Sequence, residues 1–195
     1  MSRSLLLSVT ATVICAMTLL TSCGSSSPAD PPSSPAPSSP ATATPATPTA
    51  ANVALGAKEL PPVASGLVQK SDGLLASTPR TDARVFSSAD GKTLLEVDVV
   101  VDLSRSAAAS DFGGYNRAAE KQVTVPAAST PSIGAMVANE FVGTDSTGRS
   151  VVSLAFVEGS VIGVLTMLST SSAVNPKVVE AVARVQVQKI DAAGL

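Results

Sequence analysis

Between Gly24 and Asn52 the chain carries eight of its fourteen prolines, set among Ser, Thr and Ala with almost no large apolar side chain. Proline removes backbone donors and fixes φ, and a stretch without apolar bulk has nothing to bury, so this tract is expected to be extended and disordered. As a flexible coil it would average about 30 Å end to end, and as polyproline II it would reach roughly 90 Å. It divides the chain into a leader at 1–22, a tether with its leading cysteine at 23–52, and a single segment able to fold at 53–195. About 140 residues suffice for one domain that buries roughly two-thirds of its chain surface.

The leader has the parts of an export signal. Arg3 is followed by Leu5-Leu6-Leu7, Val9, Val13-Ile14 and Leu19-Leu20, with no further charge before Cys23. The uncharged run from Ser4 to Ser22 has 19 residues, near the minimum for a membrane span. It is, however, diluted by Ser and Thr and ends in small residues before a cysteine. Leu20-Thr21-Ser22-Cys23 resembles the lipobox of bacterial lipoproteins. That resemblance implies cleavage between Ser22 and Cys23, with diacylglyceryl on the Cys23 thiol. It places the chain on the extracytoplasmic face of the cell membrane, with the membrane itself as a partner through the acyl chains. Leu20 stands at the family's apolar position, Thr21 and Ser22 are small enough for an intramembrane peptidase, and Ser22 is a tolerated rather than the favoured residue. Two or three acyl chains, at about 0.8 kcal/mol per buried CH₂, make release negligible.

Composition narrows the chemistry. Apolar residues make up 45% of the chain and aromatic residues only 3%, and there is no His and no Trp. Both cysteines, Cys15 and Cys23, precede the tether. The folded part is therefore expected to do without disulfides. A net charge of -2 with thinly spread Lys and Arg argues against nucleic acid as a partner. Without His, the Ser-His-Asp and Cys-His triads and most zinc sites are ruled out. No Ser-x-x-Lys occurs in the folded region, and no Gly-x-Ser-x-Gly, P-loop, Gly-x-Gly-x-x-Gly or EF-hand loop occurs in the chain. No catalytic, cofactor or metal residue is assigned, and the chain is expected not to be an enzyme.

Within the folded part, Pro61-Pro62 precede a stretch read as weakly helical, with Val63, Leu67, Leu74 and Leu75 near one face. Arg84-Val85-Phe86 leads into Asp90-Gly91, a two-residue hairpin signal. In the return strand Leu95, Val97, Val99, Val101 and Leu103 alternate onto one face. Glu96, Asp98 and Asp102 share the other. Asp98 and Asp102 stand about 13 Å apart at about 3.3 Å per residue, too far for one ion, so these carboxylates read as a solvated face. Ser104 or Ser106 caps a helix with Ala108, Phe112, Tyr115 and Ala119 inward, in which Gly113-Gly114 points to close packing on the sheet, with a kink beside a ligand as the alternative. Residues 123 to 138 read as a loop broken by Pro126 and Pro131, long enough to be functional. Glu140 to Thr144, Ser150 to Val157 and Val161 to Leu168 read as strands, joined by turns at Asp145-Ser146-Thr147-Gly148 and Glu158-Gly159. The last two are apolar on both faces and should be covered on both. Asn175 with Pro176 opens a final helix whose inner face is Val179, Val182, Ala183, Gln186 and Ile190.

The expected fold is α+β, an antiparallel sheet of about five strands with two to three helices, in the order α-β-β-α-β-β-β-α. Two hairpins that are each followed by a helix raise the possibility of a duplicated unit. Arg84-Val85-Phe86 before the Asp-Gly turn, Phe156-Val157-Glu158-Gly159 and the closing Ala181-Val182-Ala183-Arg184-Val185-Gln186 give the chain a likeness. It resembles small actinobacterial, mycobacterial-type envelope lipoproteins of unknown function. Some of these in turn resemble the extracytoplasmic sensor domains of serine/threonine kinases, which carry disulfides that this chain lacks. The tether, a domain without disulfides and the missing catalytic groups point to a non-catalytic binding module whose partner is an envelope protein, a glycan or a lipid. The alternative is a lipid or glycolipid carrier with an apolar cavity, motivated by the two-sided apolarity of residues 151 to 168.

Overall fold

The two strands expected to be apolar on both faces sit near the middle of the sheet. A computed structural model describes residues 49–71 and 78–195. Leu20-Thr21-Ser22-Cys23, the rest of the leader, nearly all of the tether, and Leu74 and Leu75 lie outside the described residues. The elements run α1 (Ala50–Val53), β1 (Leu67–Ser71), β2 (Thr81–Ser88), β3 (Thr93–Val101), α2 (Arg105–Lys121), β4 (Thr124–Ser129), β5 (Val137–Thr144), β6 (Ser150–Glu158), β7 (Val161–Ser169) and α3 (Pro176–Ala192). The strands form one antiparallel sheet in the order β1-β2-β3-β7-β6-β5-β4.

Alternation along β6 and β7 splits their side chains between two cores. Val152, Leu154, Phe156, Leu165 and Met167 pack with α3 residues Val179, Val182, Ala183 and Ile190 and with α1. Val151, Ala155 and Val164 meet α2 at Ala119 and Phe112, and Val157 and Ile162 meet it at Ala108 and Tyr115. The helices thus cover opposite faces. Both are capped as their sequences predict. Ala107 N–H donates to Ser104 Oγ at 3.2 Å, and Lys177 N–H donates to Asn175 Oδ1 at 3.0 Å with Pro176 in the first turn. Gln186, wholly buried, accepts from Leu55 N–H at 3.1 Å and donates Nε2–H to Val53 carbonyl oxygen at 2.6 Å. This pins residues 53–55 onto α3.

The α+β class stands, with three α-helices, but the sheet has seven strands rather than about five and a different element order. Both extra strands lie at the sheet edges. The stretch read as helical after Pro61-Pro62 makes only a short 3-10 turn at Pro62–Ala64 and then extends as β1, pairing Leu67 with Ser88 and Gln69 with Phe86. Tertiary pairing overrides the helical spacing, and Val63 is left exposed. The loop expected at 123–138 contains β4, which pairs Ala128 with Phe141. Pro126 is tolerated there because β4 is an edge strand, and a bulge with Val125 at φ 50° separates the paired residues. Leu103 lies beyond β3 and is exposed, not on the buried face.

The Asp90-Gly91 hairpin forms, but through four residues rather than two. Only Gly91 is left-handed, and Asp90 accepts from Lys92 N–H and Ser88 Oγ–H. Gly113 and Gly114 face solvent, and a methyl group at Gly114 would touch nothing. Close packing therefore does not explain the pair, and nothing in the structure does. The two hairpin-helix units also fail to repeat. The two-fold that relates antiparallel β3 and β7 would put both helices on one face, and they occupy opposite faces.

Candidate binding cleft

α2 carries Asn116 and Glu120 four residues apart, which places them on one stripe of the helix. β5 carries Asn139 and Phe141 two residues apart, hence on one face, and Ala128 of β4 shares that face because it pairs with Phe141. With Ser129 and Thr130 at the end of β4, these residues line a cleft of about 330 Å³ between α2 and the outer strands, open to solvent. Phe141, only 5% exposed, is its floor.

One hydrogen bond joins polar side chains across this cleft. Asn139 Nδ2–H donates to Asn116 Oδ1 at 2.9 Å. A carboxamide has two donors and an acceptor, so this bond leaves the Asn116 N–H groups and the Asn139 carbonyl oxygen with hydrogen-bonding capacity it does not use. Ser129 pairs with Glu140, so its side chain lies on the opposite face of the sheet from Phe141, where its Oγ–H donates to Glu140 Oε2 at 3.2 Å and is turned away from the cleft. Glu140 itself is buried on the other face of the sheet, its Oε1 without a partner among the described residues. Burial raises its pKa against the opposing hydrogen bond from Ser129. Among the described residues no Lys or Arg lines the cleft.

The carboxylates singled out in the sequence lie elsewhere. Glu96 and Asp98 share the α2 face of β3, opposite Val85 and Ala83 of β2 and Thr166 and Val164 of β7. They are half-buried rather than solvated. Burial raises both, and burial together with the charge of Glu96 raises Asp98 to about 7. Asp102, past the end of β3, accepts from Arg80 Nη2 at 2.6 Å through Oδ1, while its Oδ2 is buried without a partner among the described residues. Tyr115 of α2 lies against this cluster. Its hydroxyl is raised by burial first and then by Asp102 and Asp111. Among the described residues no group of three or more His, Cys, Asp or Glu is arranged to hold a metal ion. Asp98 can exchange a proton near neutral pH, but among the described residues no hydrogen bond joins it to a hydroxyl or any other nucleophile.

Sequence reasoning pointed to the region of the cleft only through the 123–138 segment. Asn116, Glu120 and Asn139 carried no motif. The available signal was the alternation Val137-Asn139-Phe141 ahead of Glu140, which would have extended β5 and placed a carboxamide beside an aromatic ring. The lipobox residues Leu20, Thr21, Ser22 and Cys23 lie outside the described residues.

The fold and cleft define a class: an antiparallel seven-stranded α+β domain with a helix on each face and a polar surface cleft at one end of the sheet. No family model matches the chain, and no curated protein matches it. Among solved structures it is similar to the extracellular domain of PknH from Mycobacterium tuberculosis, with a TM-score of 0.44 and 10% identity, over 67% of this chain and 69% of that one. No helix among the described residues is long and apolar enough to cross a membrane.

Proposed function

We propose that this chain is a lipid-anchored, extracytoplasmic binding module of the cell envelope without catalytic activity, and that it binds through the cleft between α2 and the β4–β5 edge. The observation that carries the reading is the lining of that cleft. Paired carboxamides, a threonine and an aromatic floor are groups that recognise; the chain has no His and no thiol after Cys23 to react. The lipobox Leu20-Thr21-Ser22-Cys23 supports the anchor, with acyl chains on Cys23. The carrier alternative is weakened because the apolar side chains of β6 and β7 that motivated it are packed against α2 and α3.

Photo-crosslinking in intact actinobacterial cells tests the reading. A photoreactive residue replacing Thr130 at the rim of the cleft should capture an envelope component. The same group at exposed Gln188 on α3, on the opposite face of the sheet, should not. Equal capture at both positions, or none at Thr130, overturns it.

A further inference from the structure

We infer that the α2–β4–β5 cleft takes a neutral polyhydroxylated ligand, one or two sugar rings of a glycan, and that Asn116 and Asn139 are its specificity-determining pair. This inference rests on the binding-module reading and names the ligand class of the same cleft. A volume of about 330 Å³ lies at the small end of the range for ligand pockets, on the order of 300–1,000 Å³. That suits one or two rings and not a lipid chain or a folded partner.

The chemistry of the lining selects within that size. The Asn139-to-Asn116 hydrogen bond ties the two carboxamides together and leaves donor capacity on one and acceptor capacity on the other. Adjacent sugar hydroxyls each donate and accept, so a vicinal pair satisfies both groups at once, and a phosphate or carboxylate would leave the Asn139 oxygen facing an acceptor. Glu120 adds a carboxylate acceptor at the rim, with no ion-pair partner among the described residues. Anions find no cation in the lining. The edge of Phe141 supplies an apolar surface for the C–H face of a ring.

A peptide adding to the sheet is the competing macromolecular ligand, and the edge opposes it. The free side of β4 is interrupted by the bulge at Val125 and by Pro126, which has no N–H to donate.

The test uses the full acylated chain in zwitterionic phospholipid vesicles, with mannobiose, arabinobiose and chitobiose at millimolar concentration and saturation-transfer difference NMR as the readout. At least one disaccharide should show transfer concentrated on its ring C–H protons. Asn139→Ala and Asn116→Ala should each weaken that binding by ten-fold or more while leaving the thermal midpoint of the domain within a few degrees. Gln188→Ala, exposed on α3 on the opposite face of the sheet, should leave it within two-fold; an equal loss in that variant would show that the effect is not local to the cleft and overturn the inference. Transfer that persists unchanged in both Asn variants, or no transfer for any disaccharide, also overturns the inference. If Thr130 still captures an envelope component by photo-crosslinking in that case, the binding-module reading survives and only the glycan class falls; a captured peptide would name the competitor.

Discussion

Gly163 of β7 sits directly across from Phe156 of β6, and the phenyl ring lies over the space a side chain would fill. A Cβ there would stand far inside contact distance of the ring, and Phe156 is wholly buried with no alternative place to go. Gly163→Ala should therefore destabilise the domain by about 1–3 kcal/mol, as overpacking does, which urea unfolding measures; an unchanged midpoint would show that the ring can shift. Asp98 gives a prediction in pH. Its folded-state pKa, raised from 3.8 to about 7 by burial and Glu96, means the folded chain holds a proton that the unfolded chain has released. Its contribution is thus fully present below about pH 4 and is lost as pH rises through 7. Asp98→Asn should flatten that decline and exceed the wild type in stability above pH 7, by about 1–3 kcal/mol once partial solvent access is allowed for. Parallel unfolding curves of the two proteins from pH 4 to 8 decide it, and identical slopes would refute it. The burial of Asp98 was illegible in the sequence because alternation assigns a face, not what covers it.

At the scale of elements, local signals that agreed with the tertiary structure were readable, and those it overrode were not. The Ser104 and Asn175 caps, the inner face of α3 and the two-sided strands β6 and β7 all followed from spacing, because each meets its partner core at the period its own sequence shows. The strand β1 was hidden because Val63, Leu67 and Leu74 recur at helical spacing, while its hydrogen bonds come from β2, beyond the reach of a local pattern. The strand β4 was hidden by Pro126 and the bulge at Val125, features that a sequence reading takes as breakers and an edge strand tolerates. Without β4 the cleft could not be foreseen, since three of its lining residues, Ala128, Ser129 and Thr130, are there only because that strand pairs with β5. The Gly113-Gly114 pair shows the opposite error, since a steric reason was inferred for glycines that face water. Gly114→Ala should stabilise α2, and with it the domain, by about 0.5–1 kcal/mol. A rise of a few degrees in the thermal midpoint would bear this out, and a fall would show that the pair meets something the free chain does not display.

At the scale of the whole molecule, the proposed binding domain has to be held near its ligand. The folded unit begins firmly: Ala50 and Val53 are buried, Arg84 Nη2 donates to Ala51 carbonyl oxygen at 2.8 Å, and Gln186 clasps residues 53–55 against α3. A tether joined there would attach to a packed segment and not to a fraying end. Its other end is the proposed lipid on Cys23. Cys23→Ala tests that link, but fractionation alone would not, because an uncleaved leader with its apolar run from Leu5 to Leu20 would itself hold the chain at the membrane. The discriminating measurements are mass and label. The wild-type protein should run as a chain shortened by residues 1–22 and take up labelled palmitate, whereas the variant should keep those residues and take up none. Palmitate labelling that survives the substitution would place the lipid elsewhere, and a wild-type chain that retains its leader would make residues 4–22 an anchor helix instead. Neither outcome bears on the cleft, whose own test is separate, so the anchor and the binding site fail separately.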